Sequence, residues 1–167
     1  MRSALINPYG DCRVARAMRE HTYASSLNPE GFEGLVEQKF ADSYNAFKIK
    51  NGFHREMDFV ALNSMQQTIG ERRLMVDVNQ GWTVETACDN WLAYSDFDLQ
   101  WIEKPLAADR PLDEWQQIAA LGGAQIAAGE NMLRETQFDS VIDAGGLGVV
   151  QPDICKWCGF SKVLSLA

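Results

Sequence analysis

An α/β fold built on a parallel sheet, open or closed into a barrel, is what this sequence predicts, on three observations. Short apolar runs suited to buried strands alternate with longer stretches of helical periodicity. The runs lack the strict alternation of a half-solvated strand, as expected of strands covered on both faces. Charged residues also close successive runs at a nearly constant interval. Lys50, Asp77 and Glu103 end their runs, and Glu130 and Asp153 lie just past theirs, with gaps of 27, 26, 27 and 23 residues. Each gap is about the length of one strand–helix unit.

The elements follow in order. The strand candidates are Thr22–Ser26 (TYASS), Ala46–Lys50 (AFKIK), Leu74–Asp77 (LMVD), Leu99–Glu103 (LQWIE), Gln125–Ala128 (QIAA) and Gly148–Gln151 (GVVQ). Asn28-Pro29-Glu30 opens the first helix candidate, with proline at the first helical position beside an acid. Thr83 caps a helix that runs through Trp91. Pro111 starts PLDEWQQIAAL, whose periodicity puts Leu112, Trp115, Ile118 and Ala119 on one face before Gly122-Gly123 ends it. Arg134 to Asp143 form the next helix, closed by Gly145-Gly146. No Pro/Ser-rich linker or low-complexity segment divides the chain.

At 167 residues one domain is the expectation, and 46% apolar with 23% charged residues is ordinary for a globular protein. A net charge of −8 argues against binding a nucleic-acid backbone, while anionic small molecules stay possible through local lysines or a metal. The N-terminal MRSALINPYGDCRVAR has no long apolar stretch, so no signal peptide is read, and nothing approaches a membrane span. Four cysteines (Cys12, Cys88, Cys155, Cys158) are too few and too irregular for a disulfide scaffold. A cytoplasmic, reduced protein is expected.

Corresponding positions on successive parallel strands project at one end of the sheet, which in a barrel is the catalytic face. Asp77, Glu103 and Glu130 are therefore expected to converge, and three carboxylates repel unless a cation sits among them. An all-oxygen set selects a hard ion, with Mg²⁺ the natural choice. Taken singly, each acid reads as a solvated loop residue; the shared phase is what favours a site. Lys48 and Lys50 flank Ile49, so in a strand they point to one side. Two adjacent ammonium groups favour a lowered pKa, which suits a general base, whereas an edge strand with solvated lysines is the plainer alternative.

These residues resemble the mandelate racemase/muconate lactonizing enzyme branch of the enolase superfamily. The matching pieces are YASSLNP, FKIKNGF, LMVDVNQGW, WIEKPL, AAGEN and VVQPDICKWCGF, in order from about Tyr23 to the last residue. The resemblance implies a partial (β/α)8 TIM-type barrel of about six βα units, spanning residues 21–167 after a leader segment, residues 1–20. It implies Mg²⁺ on Asp77, Glu103 and Glu130, and Lys50 as the base that removes a proton α to a carboxylate. Lys48 would be its partner, Asn79 a substrate contact and Asp153 the acid of a His–Asp dyad. Muconate lactonizing enzymes carry a lysine in that last region, and Lys156 keeps this alternative open. The implied substrate is a hydroxy or sugar acid, dehydrated as in acid-sugar dehydratases or racemised. Bound Mg²⁺ would stabilise the charge that gathers on the carboxylate oxygens.

The chain departs from the family by omission. Strands seven and eight, with the dyad histidine and a further acid, are expected to be missing, as is the N-terminal capping domain. SKVLSLA reads as a helix cut in its second turn. His21 and His54 do not occupy the dyad position and read as surface or packing residues. Cys158 stands where a glycine is usual, and Lys104 where a second acid is common. Unpaired sheet edges predict a homo-oligomer. The expectation is an inactive or impaired portion of a Mg²⁺-dependent lyase or isomerase. Its competitors are a non-catalytic, metal-binding, self-associating barrel portion and a muconate-type cycloisomerase. CGFS at Cys158 matches a glutaredoxin motif, but too little chain follows it for that fold. Two cysteines without further ligands do not make a zinc knuckle, so Cys155 and Cys158 read as packing residues.

Overall fold

The computed structural model describes residues 20–25, 36, 44–157 and 159–165. Six parallel strands among them lie in the order in which the chain makes them: β1 (Glu20–Ser25), β2 (Ala46–Lys50), β3 (Arg73–Asp77), β4 (Trp101–Glu103), β5 (Gln125–Ala128) and β6 (Val149–Val150). Helices α1 (Arg55–Ile69), α2 (Val84–Tyr94), α3 (Leu112–Ala119) and α4 (Glu135–Asp143) connect β2 through β6. The short α5 (Ile154–Trp157) and α6 (Phe160–Ser165) follow. A doubly wound sheet would reverse its strand order at some point. This one never does, so the chain forms six units of a (β/α) barrel.

Alternation along the strands sorts the side chains into two layers. Phe47, Ile49, Leu74, Val76, Ile102 and Ile126 face the helices and join the large core. Ala46, Met75, Trp101, Ala127 and Val149, one from each of β2 to β6, form a separate buried cluster on the other face. That is a layer of the kind that fills a barrel interior. The next inward position along β2, β3 and β4 is charged: Lys48 after Ala46, Asp77 after Met75, Glu103 after Trp101. The sheet thus carries an apolar floor with a charged rim at the strands' C-terminal ends.

Helix packing supplies most of the core. Ala61, Leu62, Met65 and Ile69 are the buried stripe of α1, which the sequence reading did not single out. Its preceding residue, His54, makes no side-chain capping bond, and only the acids Glu56 and Asp58 in the first turn mark its start. Thr83 does cap α2, its hydroxyl accepting from the Thr86 N–H at 3.2 Å. On α3, Trp115 and Ile118 are buried while Leu112 remains 38% exposed, against its expected place on the inner face. Pro111 cannot continue the turn backwards, so Leu112 sits in a first turn that lies off the core. Gly122, Gly123 and Gly145 adopt positive φ after α3 and α4, the conformation that ends helices at little cost for glycine. Phe59, Trp82, Tyr94 and Phe97 form an aromatic cluster with mostly edge-on contacts.

Several expectations lie outside the described residues: the helix opened by Asn28, the leader up to residue 19, Cys12 and Cys158. Glu20 opens β1, and the segment beginning at Ser161 is helical as far as Ser165. No helix among the described residues is long and apolar enough to cross a membrane.

Candidate active site

Strand register brings the charged rim together. Lys50 is the partner of Asp77 across β2 and β3, and Asp77 is the partner of Glu103 across β3 and β4. Glu103 is level with Ala127, so Glu130 enters from the loop three residues further on. Gly129 makes that loop possible. Its φ is +145°, and a Cβ there would stand 2.7 Å from the backbone carbon of Gln151. Only glycine lets the ends of β5 and β6 approach this closely.

Asp77 and Glu103 are 2% and 5% exposed, and each has a lysine of β2. Lys50 Nζ donates to Asp77 Oδ2 at 2.6 Å, and Lys48 Nζ to Glu103 Oε2 at 2.5 Å. The two lysines do share a side, and each ammonium faces a carboxylate there. Gln151 Nε2 adds a bond to Glu103 Oε2 at 3.2 Å, and the Asn79 N–H donates to Asp77 Oδ1 at 2.9 Å.

The three acids of the rim meet at one point, and that point is an ammonium. Lys104 Nζ lies 3.3 Å from Asp77 Oδ2, 3.4 Å from Glu103 Oε1 and 2.5 Å from Glu130 Oε2. Lys156 holds the other Glu130 oxygen at 2.7 Å. Burial alone would lower the Lys104 pKa, but the Glu130 hydrogen bond and the charges of Asp77, Glu103 and Glu130 outweigh it and raise the value. The hydrogen bonds from Lys104 and Lys156 pull Glu130 down to about 2. Among the described residues no group of His, Cys, Asp and Glu side chains is itself arranged to hold a metal ion. Convergence of three carboxylates on one positive centre nevertheless fits a hard cation in chemistry, with the ammonium as its stand-in.

Sequence reasoning treated Lys104 only as a departure from a pattern. Alternation past Glu103 would aim Lys104 at the helices. A left-handed residue breaks that alternation: Lys104 has φ +51° and is 5% exposed. Backbone bonds from its N–H to Ala127 O and to its carbonyl from the Gln80 N–H, both 2.7 Å, hold the kink. Only the adjacency of a lysine to a strand-closing acid hinted at this.

The remaining predicted residues take other places. Asn79 has an exposed side chain on a left-handed turn, φ +48°. Asp153 Oδ1 accepts from the N–H groups of Cys155 (2.8 Å) and Lys156 (3.2 Å), so it caps α5. Cys155 is a free, exposed thiol on that helix. His54 is an exposed residue ahead of α1, and His21 lies in β1.

Comparison with known proteins adds to this geometry. The family described as enolase C-terminal domain-like matches residues 32–167. The chain is similar to L-galactonate dehydratase of Hypocrea jecorina, with 30% identity over 167 residues, covering 92% of this chain and 37% of that protein. It is similar in structure to a mandelate racemase/muconate lactonizing enzyme of Bordetella bronchiseptica RB50, at TM-score 0.81 and 36% identity, covering 89% and 40% of the two chains. A racemase of Streptomyces coelicolor A3(2) with bound magnesium gives TM-score 0.80 and 28% identity, covering 87% and 42%. The chain spans about two fifths of the length of these proteins.

Proposed function

The chain belongs to the enolase C-terminal domain-like family, and from that premise we propose that its charged rim is the proton-abstracting part of a Mg²⁺-dependent site for hydroxy or sugar acids. One observation carries the reading. Carboxylates from three successive βα units meet around a single positive centre, with Lys48 and Lys50 set against two of them. The rim holds four ammonium groups (Lys48, Lys50, Lys104, Lys156) against three carboxylates. In a chain of net charge −8 these gathered ammonium groups give an anionic substrate local partners.

In this reading Lys50, released from Asp77 and having given up one proton to solvent, takes the proton α to the substrate carboxylate as the neutral amine, and Lys48 stays beside it as an ammonium to hold that carboxylate. The Asn79 amide hydrogen-bonds the same end of the substrate. Asp153 gives a proton to the departing β-hydroxyl in dehydration, or serves the opposite face of the carbon in racemisation. Asp77, Glu103 and Glu130 would hold Mg²⁺, which when bound supplies positive charge to the carboxylate oxygens as the α-proton leaves. Relatives that are dehydratases, cycloisomerases and racemases support this class of chemistry, and dehydration of a sugar acid is the outcome we favour. A cytoplasmic setting and homo-oligomeric association belong to the same proposal.

Solvent-deuterium exchange at the α-carbon of hydroxy and sugar acids, with Mg²⁺, tests it. Exchange is expected from the chain, or from the chain joined to the remaining barrel strands of a relative, and Lys50→Met should abolish it. Exchange undiminished in Lys50→Met, or absent from both forms, refutes the assignment. A second reading, a cation-binding and self-associating barrel portion without turnover, draws on the same convergence of three carboxylates on one positive centre. Exchange by neither form together with specific Mg²⁺ uptake would select it.

A further inference from the structure

The rim's charge balance bears directly on how a metal would enter. Among the described residues Asp77, Glu103 and Glu130 are already paired with four ammonium groups, those of Lys48, Lys50, Lys104 and Lys156, so a divalent ion must displace ammonium to reach them. One of the four, Lys104, touches all three carboxylates, and it is the most enclosed, its side chain 6% exposed against 11%, 28% and 44% for Lys48, Lys50 and Lys156. It is also held from behind. The left-handed kink at φ +51° is fixed by two backbone bonds of 2.7 Å, so the stem is aimed at the centre by the main chain. A divalent ion bound by Asp77, Glu103 and Glu130 would need the space that this Nζ occupies.

We propose that Lys104 is a tethered counter-ion that closes the divalent-cation position of the rim, so that a metal ion binds only as the ammonium leaves. The inference rests on the reading of Asp77, Glu103 and Glu130 as the metal triad. Without metal, Lys104 offsets part of the carboxylates' mutual repulsion and holds them in place. With it, the apparent metal affinity is the intrinsic affinity reduced by the fraction of molecules in which the ammonium has withdrawn. If that fraction is about one in ten, the penalty is about tenfold.

The test compares the full chain with Lys104→Gln and Lys104→Met by titration with Mn²⁺, read by the loss of the free-ion electron paramagnetic resonance signal, and with Mg²⁺ by calorimetry. Removing the ammonium is expected to tighten binding about tenfold or more. It should also lower the melting temperature without metal, and Mg²⁺ should restore it. A measurement on the parent covers the case in which neither variant folds. Acetylation of Lys104 by acetic anhydride, followed by mass spectrometry, should be slow without metal and fast with saturating Mn²⁺. Equal metal affinity in parent and variants, or metal binding that leaves Lys104 protected, overturns the counter-ion and leaves the metal triad standing. Failure of parent and variants alike to bind either ion overturns the triad, and the inference with it.

Discussion

Gly129→Ala offers a direct measure of how the fold builds the rim. The substitution carries two costs. Backbone at φ +145° is poorly accessible to residues with a Cβ, a penalty of about 1–3 kcal/mol. The new Cβ would also stand 2.7–2.9 Å from the C, O and N atoms of Gln151, and such overpacking against main chain costs about another 1–3 kcal/mol. A loss of about 4 kcal/mol is expected, which for a chain of this length lowers the melting temperature by roughly 10 °C. Two controls separate the terms. Gly122→Ala keeps a positive φ of +70° with nothing within 4 Å of the new Cβ, isolating a backbone cost of about 1 kcal/mol. Gly148→Ala has no positive φ but places its Cβ 2.8 Å from Gln125 Cβ, an atom fixed to the main chain, and should cost about 1–3 kcal/mol through packing alone. Urea and thermal unfolding by circular dichroism read all three. A Gly129→Ala loss no larger than either control would refute the claim that close approach of β5 and β6 needs glycine there.

Three further outcomes are expected. Trp115→Ala removes a side chain 1% exposed between α3 and the sheet and should cost about 3–5 kcal/mol in urea unfolding; a loss under about 1 kcal/mol would contradict its place in the core. Asp153→Ala should lose about 1 kcal/mol through the missing cap of α5, while Asp153→Asn, which caps equally well, should keep it. If Asp153 also transfers a proton, both substitutions abolish dehydration, whereas a purely structural residue would spare activity in the asparagine variant. The Tyr94 phenol is raised above its ordinary value, first by burial and then by the Asp58 charge, with Arg55 opposing. A raised folded value means that its contribution is complete below about pH 10 and is lost as the pH climbs from there toward the folded value. Tyr94→Phe should therefore flatten the alkaline fall in stability; an unchanged slope would show that this phenol is not responsible.

Much of the architecture was legible because it is a matter of local pattern repeated. Apolar runs, glycine stops and the Thr83 cap mark β2 to β6 and α2 to α4. Asp77 and Glu103 meet because parallel register repeats the same position strand after strand, and Glu130 joins them from the loop just beyond Ala127 and Ala128. Lys48 and Lys50 share a side for the equally local reason that strand alternation has a period of two. Where local signals were weak the reading fell short: α1 follows His54, which supplies no side-chain cap, and Leu112 matches the buried stripe of α3 in spacing yet stays exposed at the helix start.

The sequence by itself determined the strand–helix alternation and the phase of the acids, since both follow from periodicities that each segment carries alone. Tertiary structure decided which cation those acids share. Lys104 reaches the centre only because its main chain turns left-handed, held between Ala127 and Gln80 on neighbouring units. Gln151 reaches Glu103 only because Gly129 lets two strand ends close together. Contacts of this kind join residues tens of positions apart, and their energies exist only once the sheet has formed.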